Sequence, residues 1–151
     1  MEQKDFIIEQ VKTFTPRLAE DVRNLTKQIG NNYKELTDQD VKDMLEASSN
    51  NLIIARLGEQ IVGMVTVLIF RIPYAKKGYI DDLIVDESYR GHGLGSQLLD
   101  RALVLAKEKE VAYIDFTSRP RRVAGNTLYE KLGFKKRDTN VYRLILSYEE
   151  V

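Results

Sequence analysis

Seven consecutive residues, Arg90-Gly91-His92-Gly93-Leu94-Gly95-Ser96, follow an apolar run ending Leu83-Ile84-Val85 and precede an amphipathic stretch. A strand, a tight turn and a helix in that order put the first helical N–H groups at the mouth of the turn. These amides lack internal acceptors and carry the positive end of the helix dipole. Glycines leave no Cβ between them and an incoming anion, so the turn suits a phosphate or pyrophosphate. Each charge-assisted hydrogen bond contributes about 1.5 to 3 kcal/mol, and several together hold a pyrophosphate without a metal. Arg90 adds a guanidinium beside them. Two other phosphate motifs fail on these residues. The dinucleotide fingerprint needs a third glycine where Ser96 stands, which leaves Asp115, about 20 residues on, as coincidence. The mononucleotide loop needs a lysine, and this turn has none.

Proton transfer has its own candidates. Asp81 and Asp82 interrupt an otherwise apolar strand. Neighbours on a strand point to opposite faces, so only one of the two is expected to aim at a reacting group. An ordinary aspartate, with pKa ~3.9, is a poor acceptor for an ammonium proton near ~10.4. Burial, a water relay or a depressed substrate pKa must therefore assist. A hydrogen-bonded pair at a strand bend is the plainer reading of the same residues. Cysteine is absent, which removes disulfides, thiol nucleophiles and thiolate metal sites, and the single histidine, His92, makes no usual zinc centre. Metal catalysis is not expected.

Arg90-x-x-Gly93-x-Gly95 after Leu83-Ile84-Val85 resembles the acetyl-CoA signature of the GNAT N-acetyltransferase superfamily. Asn126-Thr127-Leu128-Tyr129-Glu130-Lys131-Leu132-Gly133-Phe134 is similar to that family's second block, and the order of elements along the whole chain agrees. The resemblance implies a pantetheine arm inserted between two splayed parallel strands, bound by backbone groups near Ile84 and Val85. It implies a pyrophosphate held on the turn from Arg90, Gly91, His92 and Gly93 into Leu94, Gly95 and Ser96. The acetyl group would pass directly to an amine, since no cysteine exists to carry it. Tyr129 is then the candidate acid, a phenol of pKa near ~10 that is protonated at neutral pH and able to donate to a departing thiolate. In the family the position of Asn126 meets the cofactor arm, and three-residue helical spacing lets both side chains face one ligand. A core tyrosine and a helix-cap asparagine are the alternative. Similar polyamine and small-amine acetyltransferases carry acids at the positions of Asp81 and Asp82, which ranks a small cationic amine ahead of a protein N-terminus or lysine. Phe70, Tyr74 and Tyr79 are expected to line the acceptor pocket near Asp82, with Tyr142 closing it. Arg119, Arg121 and Arg122 read as a solvated loop. A non-catalytic acyl-CoA-binding module is the rival from another class, and a homodimer is a possible assembly.

The elements that must position these residues follow from pattern. Thr15-Pro16 caps a helix expected to reach about Gly30, and Thr37 to Asp40 resembles a capping arrangement before Val41, Met44 and Leu45. Residues 52–57 and 61–70 are β-rich runs about a Gly58-Glu59-Gln60 hairpin loop. Residues 79–85 form the strand before the turn. In the helix expected over 94–110, Leu94, Leu98, Ala102 and Ala106 recur at four-residue spacing and mark the face laid on a sheet. A strand over 111–117, a helix over 123–131 and a terminal hairpin over 134–137 and 141–146 complete the pattern. The expected architecture is one α/β domain (mixed α+β) over residues 1–151, with a twisted mixed sheet of six or seven strands and a splayed parallel pair. The chain's 43% hydrophobic and 30% charged residues suit a globular core. Lys plus Arg and Asp plus Glu are both 23, so no global field draws the chain to nucleic acid or an anionic membrane. The N-terminus lacks a signal pattern and no apolar run spans a bilayer, so a cytoplasmic location is expected.

Overall fold

Threonines open the first two helices of the computed structural model, which describes residues 4–30 and 34–147. Thr15 Oγ1 accepts from the Leu18 amide at 3.1 Å and starts α1 (Pro16–Thr26). Thr37 and Asp40 exchange side-chain and backbone bonds in a full capping box at the start of α2 (Asp38–Glu46). Helix α1 ends four residues before Gly30, because Gln28 and Ile29 tighten into i→i−3 turns.

Among the described residues the sheet has five strands in the order of the chain: β1 (Phe6–Val11), β2 (Asn50–Leu57), β3 (Gln60–Ile72), β4 (Ala75–Val85) and β5 (Tyr113–Asp115). The first four are antiparallel neighbours, and β5 lies parallel to β4 after the crossover through α3 (Leu94–Glu108). Leu57 faces Gln60 across Gly58-Glu59, as the hairpin signal predicts. The strand expected over 79–85 starts earlier, at Ala75, with Ile72 facing Ala75 and only Pro73-Tyr74 between β3 and β4.

Five strands form among the described residues rather than six or seven, because the hairpin expected over 134–137 and 141–146 does not. Residues 134–147 carry no regular structure, and Tyr142, Leu144 and Leu146 are each more than 80% exposed. Period-two alternation licenses a strand locally but cannot supply its partner, and β5 offers an edge of only three residues rather than the seven expected over 111–117. An apolar groove of about 280 Å³ lies between α3, β5 and Phe134, away from the acidic pair and the glycine turn.

Helices cover both faces of the sheet. Leu94, Leu98, Leu99, Ala102 and Leu105 of α3 pack on Ile53, Ala55, Val65, Val67 and Ile80, joined at the margin by Leu128, Tyr129 and Leu132 around α4 (Val123–Lys131). On the other face Leu18, Val22 and Leu25 of α1 and Val41 of α2 meet Leu52, Ile54, Met64 and Ile84. Asp21, buried on α1, accepts from the Ile61 amide at 3.1 Å and so satisfies the start of β3. Helix α3 is seated closely, since a Cβ on Gly63 would lie 3.2 Å from both Leu98 Cδ1 and the Ile84 carbonyl. Leu98→Ala is expected to destabilise the fold by about 2–5 kcal/mol, read as a lower urea midpoint at unchanged slope. Among the described residues no helix is long and apolar enough to cross a membrane.

Candidate active site

The turn before α3 is organised by Asp86, which sequence reasoning passed over. Its Oδ1 accepts from the Ser88 amide at 2.8 Å, its carbonyl accepts from the Tyr89 amide, and its Oδ2 accepts from Gln28 at 3.2 Å. Gln28 in turn accepts from the Glu87 amide, so the end of α1 braces the entry to the turn. The Asp-x-Ser spacing was the available signal, an Asx turn in the sequence itself.

Gly91 and Gly93 have φ of +83° and +75°, values glycine adopts without the Cβ penalty. No side chain caps α3, its first turn holds no acid, and the helical ladder begins with the Gln97 amide bonded to the Gly93 carbonyl. The amides of Leu94, Gly95 and Ser96 thus face outward, on a start anchored by the buried Leu94 side chain. Gly95 needs no special φ, and a Cβ there would reach only Val85, at 4.0 Å. Backbone geometry does not require glycine at 95; an unobstructed approach to the amides does. The uncapped amides and clear cradle fit a pyrophosphate.

Two neighbours turn elsewhere. Arg90 Nε donates to the Val85 carbonyl at 3.2 Å, which occupies part of the strand edge expected to meet the pantetheine arm. His92 points its Nδ1 toward the Tyr89 and Arg90 carbonyls and lays its ring edge-on to Phe6, so only its backbone is free to face the turn.

The β4–β5 ladder has three rungs, Lys77 with Tyr113, Gly78 with Ile114 and Tyr79 with Asp115, and then stops although β4 runs on to Val85. Gly78 permits the close rungs, since a Cβ there would lie 3.0 Å from Ile114. Beyond Tyr79 the two strands part, and the opening runs toward the glycine turn.

Tyr129 stands on the α3 side of this opening. Its ring packs edge-on to Phe116, just past β5, with centroids 4.6 Å apart. The side chain leans back along α4, so that a Cβ on Gly125 would sit 3.5 Å from its hydroxyl. That hydroxyl has no hydrogen-bond partner among the described residues. Burial raises its pKa above the ordinary tyrosine value against the opposing pull of Arg122. Asn126 Nδ2 donates to the Arg119 and Pro120 carbonyls, so that amide clamps the preceding loop.

The acidic pair breaks the strand rule. Thr66 faces Asp81 and Met64 faces Ile84, so β3 spends one residue, Val65, where β4 spends two, Asp82 and Leu83. This is a β-bulge, and Asp82 sits in it at φ +51° with its amide donating to Asp81 Oδ1 at 2.9 Å. The bulge inverts the alternation, so that Ile80 packs under α3 while Ile84 packs under α1. Simple alternation therefore cannot sort Asp81 from Asp82. Asp81 shares the α1 face with Thr66. Asp82 is open to solvent on one side, yet the surrounding protein removes enough hydration to push its pKa up to about 6, with the Asp81 charge as the second cause.

Register also places Phe70, Tyr79 and Asp81 on that one face, beyond the part covered by α1 and α2. Tyr74 projects from the β3–β4 turn and is 81% exposed. Tyr142 lies apart in the terminal segment, where its hydroxyl accepts from Asn140.

A family model described as the acetyltransferase (GNAT) family matches residues 19–134. An L-2,4-diaminobutyric acid acetyltransferase of Marinococcus halophilus is 32% identical over 122 residues, which are 80% of this chain and 65% of that protein. Human N-alpha-acetyltransferase 30 is 32% identical over 95 residues, 62% of this chain and 26% of that protein. The chain thus spans under two thirds of these relatives' lengths. The crystal structure of an aminoglycoside acetyltransferase from an uncultured soil metagenomic sample superposes with a TM-score of 0.82, covering 93% of this chain and 96% of that one at 17% identity.

Proposed function

The chain belongs to the acetyltransferase (GNAT) family, and from that membership we propose that it transfers an acetyl group from acetyl-CoA directly to the amine of a small cationic acceptor. The observation that carries this reading is the parting of β4 from β5 after Tyr79, with an uncapped glycine turn beyond the gap and an acidic bulge on its margin. Acetyl-CoA, when bound, supplies an activated acetyl thioester.

The residues of the chain do the rest. The amides of Leu94, Gly95 and Ser96 hold the pyrophosphate, and the free edge of β4 near Ile84 and Val85 aligns the arm. Asp81 and Asp82 draw a cationic acceptor to the α1 face. Asp82 takes the ammonium proton, directly or through water, so that the neutral nitrogen attacks the carbonyl carbon. As the carbon–sulfur bond breaks, Tyr129 O–H gives its proton to the sulfur from the α3 face, and the proton the nitrogen sheds on becoming an amide returns to the phenolate through water. Asp82 in the bulge and Tyr129 on the α3 side flank the gap and meet only there, which makes positioning the main catalytic resource.

The diaminobutyrate relative supports a small amine, and the human relative keeps a protein N-terminus as a second acceptor class. Release of CoA thiol from acetyl-CoA across polyamines, amino acids, aminoglycosides and peptide N-termini tests both. Turnover with small amines alone establishes the reading, turnover only with peptides replaces the acceptor class, and tight acetyl-CoA binding with no turnover on any amine replaces the enzyme by a binding module. Gly95→Val is expected to weaken acetyl-CoA binding by about tenfold or more while the thermal midpoint holds, measured by calorimetry beside a melting curve. An unchanged Kd would remove the turn from the site.

A further inference from the structure

Lys77 and Asp115 form an ion pair with no part in the chemistry above. Lys77 Nζ lies 3.0 Å from Asp115 Oδ2, and the two side chains are only 25% and 33% exposed. The ammonium also rests over the Tyr113 ring, 5.6 Å from its centroid. A positive and a negative group are therefore fixed side by side on the ladder, with Asp115 in its last rung, where the opening begins.

The pair lies on the face of the sheet that carries Asp81. Lys77, Tyr79 and Asp81 alternate onto the α1 face, and Tyr113 and Asp115 stand opposite Lys77 and Tyr79. Asp81 is two residues along the strand and one strand across from Asp115, roughly 6.6 Å by 4.8 Å, or about 8 Å between Cα atoms. An acceptor with its amine at the acidic bulge and its body along this face brings its far end to the pair. A second bare cation there would meet Asp115 but be repelled by Lys77, and a neutral end would use neither charge. An ammonium beside a carboxylate satisfies both. Stability is a weak reason for the pair, since a partly exposed edge pair contributes about 0–1 kcal/mol.

We propose that Lys77 and Asp115 read the zwitterionic end of the acceptor, and that the acceptor is an α-amino acid with a short side chain ending in the amine to be acetylated. The proposal rests on the reading that the acidic bulge receives the reacting amine. Asp115 takes the α-ammonium and Lys77 the α-carboxylate.

Matched acceptors test it: ornithine against putrescine and lysine against cadaverine, each diamine being its amino acid without the carboxylate. The wild type is expected to favour each amino acid by about tenfold or more in kcat/KM. Lys77→Met is expected to collapse that ratio to about one through a raised KM, and Lys77→Arg to restore part of it. Asp115→Asn lowers both members of a pair and leaves the ratio, because both carry the second ammonium. Diamines used as well as amino acids by the wild type, or an unchanged ratio in Lys77→Met, would overturn the subsite while leaving acetyl transfer intact. Absence of turnover on every amine strikes the underlying reading instead. Calorimetric binding of ornithine to wild type and Lys77→Met then decides the subsite: a loss of affinity in the variant upholds it, and equal affinity or no binding overturns it.

Discussion

Tyr129→Phe is expected to lower kcat by about 10²-fold or more while the Kd for CoA changes by less than about threefold. The substitution removes one oxygen and keeps the ring edge-on to Phe116 at the margin of the core. Since the hydroxyl has no partner among the described residues, its loss orphans nothing and the thermal midpoint should hold. A raised pKa keeps the phenol protonated through neutral pH, so any alkaline fall in rate belongs above the range of an ordinary tyrosine. Melting curves beside steady-state kinetics make the check. A variant that keeps kcat within about threefold on a good acceptor would assign the proton on sulfur to water rather than to Tyr129.

Asp82→Asn is expected to cost about 10²-fold in kcat/KM and to erase an acid limb centred near pH 6. The carboxylate must be ionised to accept a proton, so wild-type kcat/KM climbs as pH rises through about 6 and levels above it. A base of that pKa is roughly a hundredfold better matched to an ammonium than an ordinary aspartate is, which still leaves most of the climb to positioning or to a water relay. Asparagine preserves shape and tolerates the left-handed backbone at φ +51°, so the bulge should persist in the variant. Asp81→Asn should move the limb to lower pH by removing the like charge, but only part of the way, because burial is the larger cause. A limb that stays near pH 6 in Asp82→Asn would assign the titration to another group.

The stability sign is opposite to that of an ion-paired carboxylate. A carboxyl whose folded pKa is raised contributes stability that is fully present below the unfolded value and lost as pH rises through the folded value. Asp82→Asn should therefore melt no lower than wild type at pH 7, with its relative advantage fading toward pH 4, in a series of melting curves.

Local signals in the sequence determined the parts whose causes are local. Thr15 and Thr37 cap helices because a hydroxyl meets amides two or three residues on, and the α3 stripe of Leu94, Leu98 and Ala102 buries because helical period alone puts those residues on one face. The glycine turn was legible for the same reason, its conformation and its amides both lying within one short stretch. Tertiary structure decided whatever needed a second segment. The residues of 141–146 alternate correctly yet form no strand, since pairing depends on an edge that their own pattern cannot supply. The bulge at Asp82 is a mismatch of count between β3 and β4, visible only in their register, and it alone breaks the alternation around the acidic pair. Lys77 meets Asp115 across 38 residues of chain because the parallel ladder brings them there, and the same ladder, by stopping at Tyr79, opens the gap between β4 and β5.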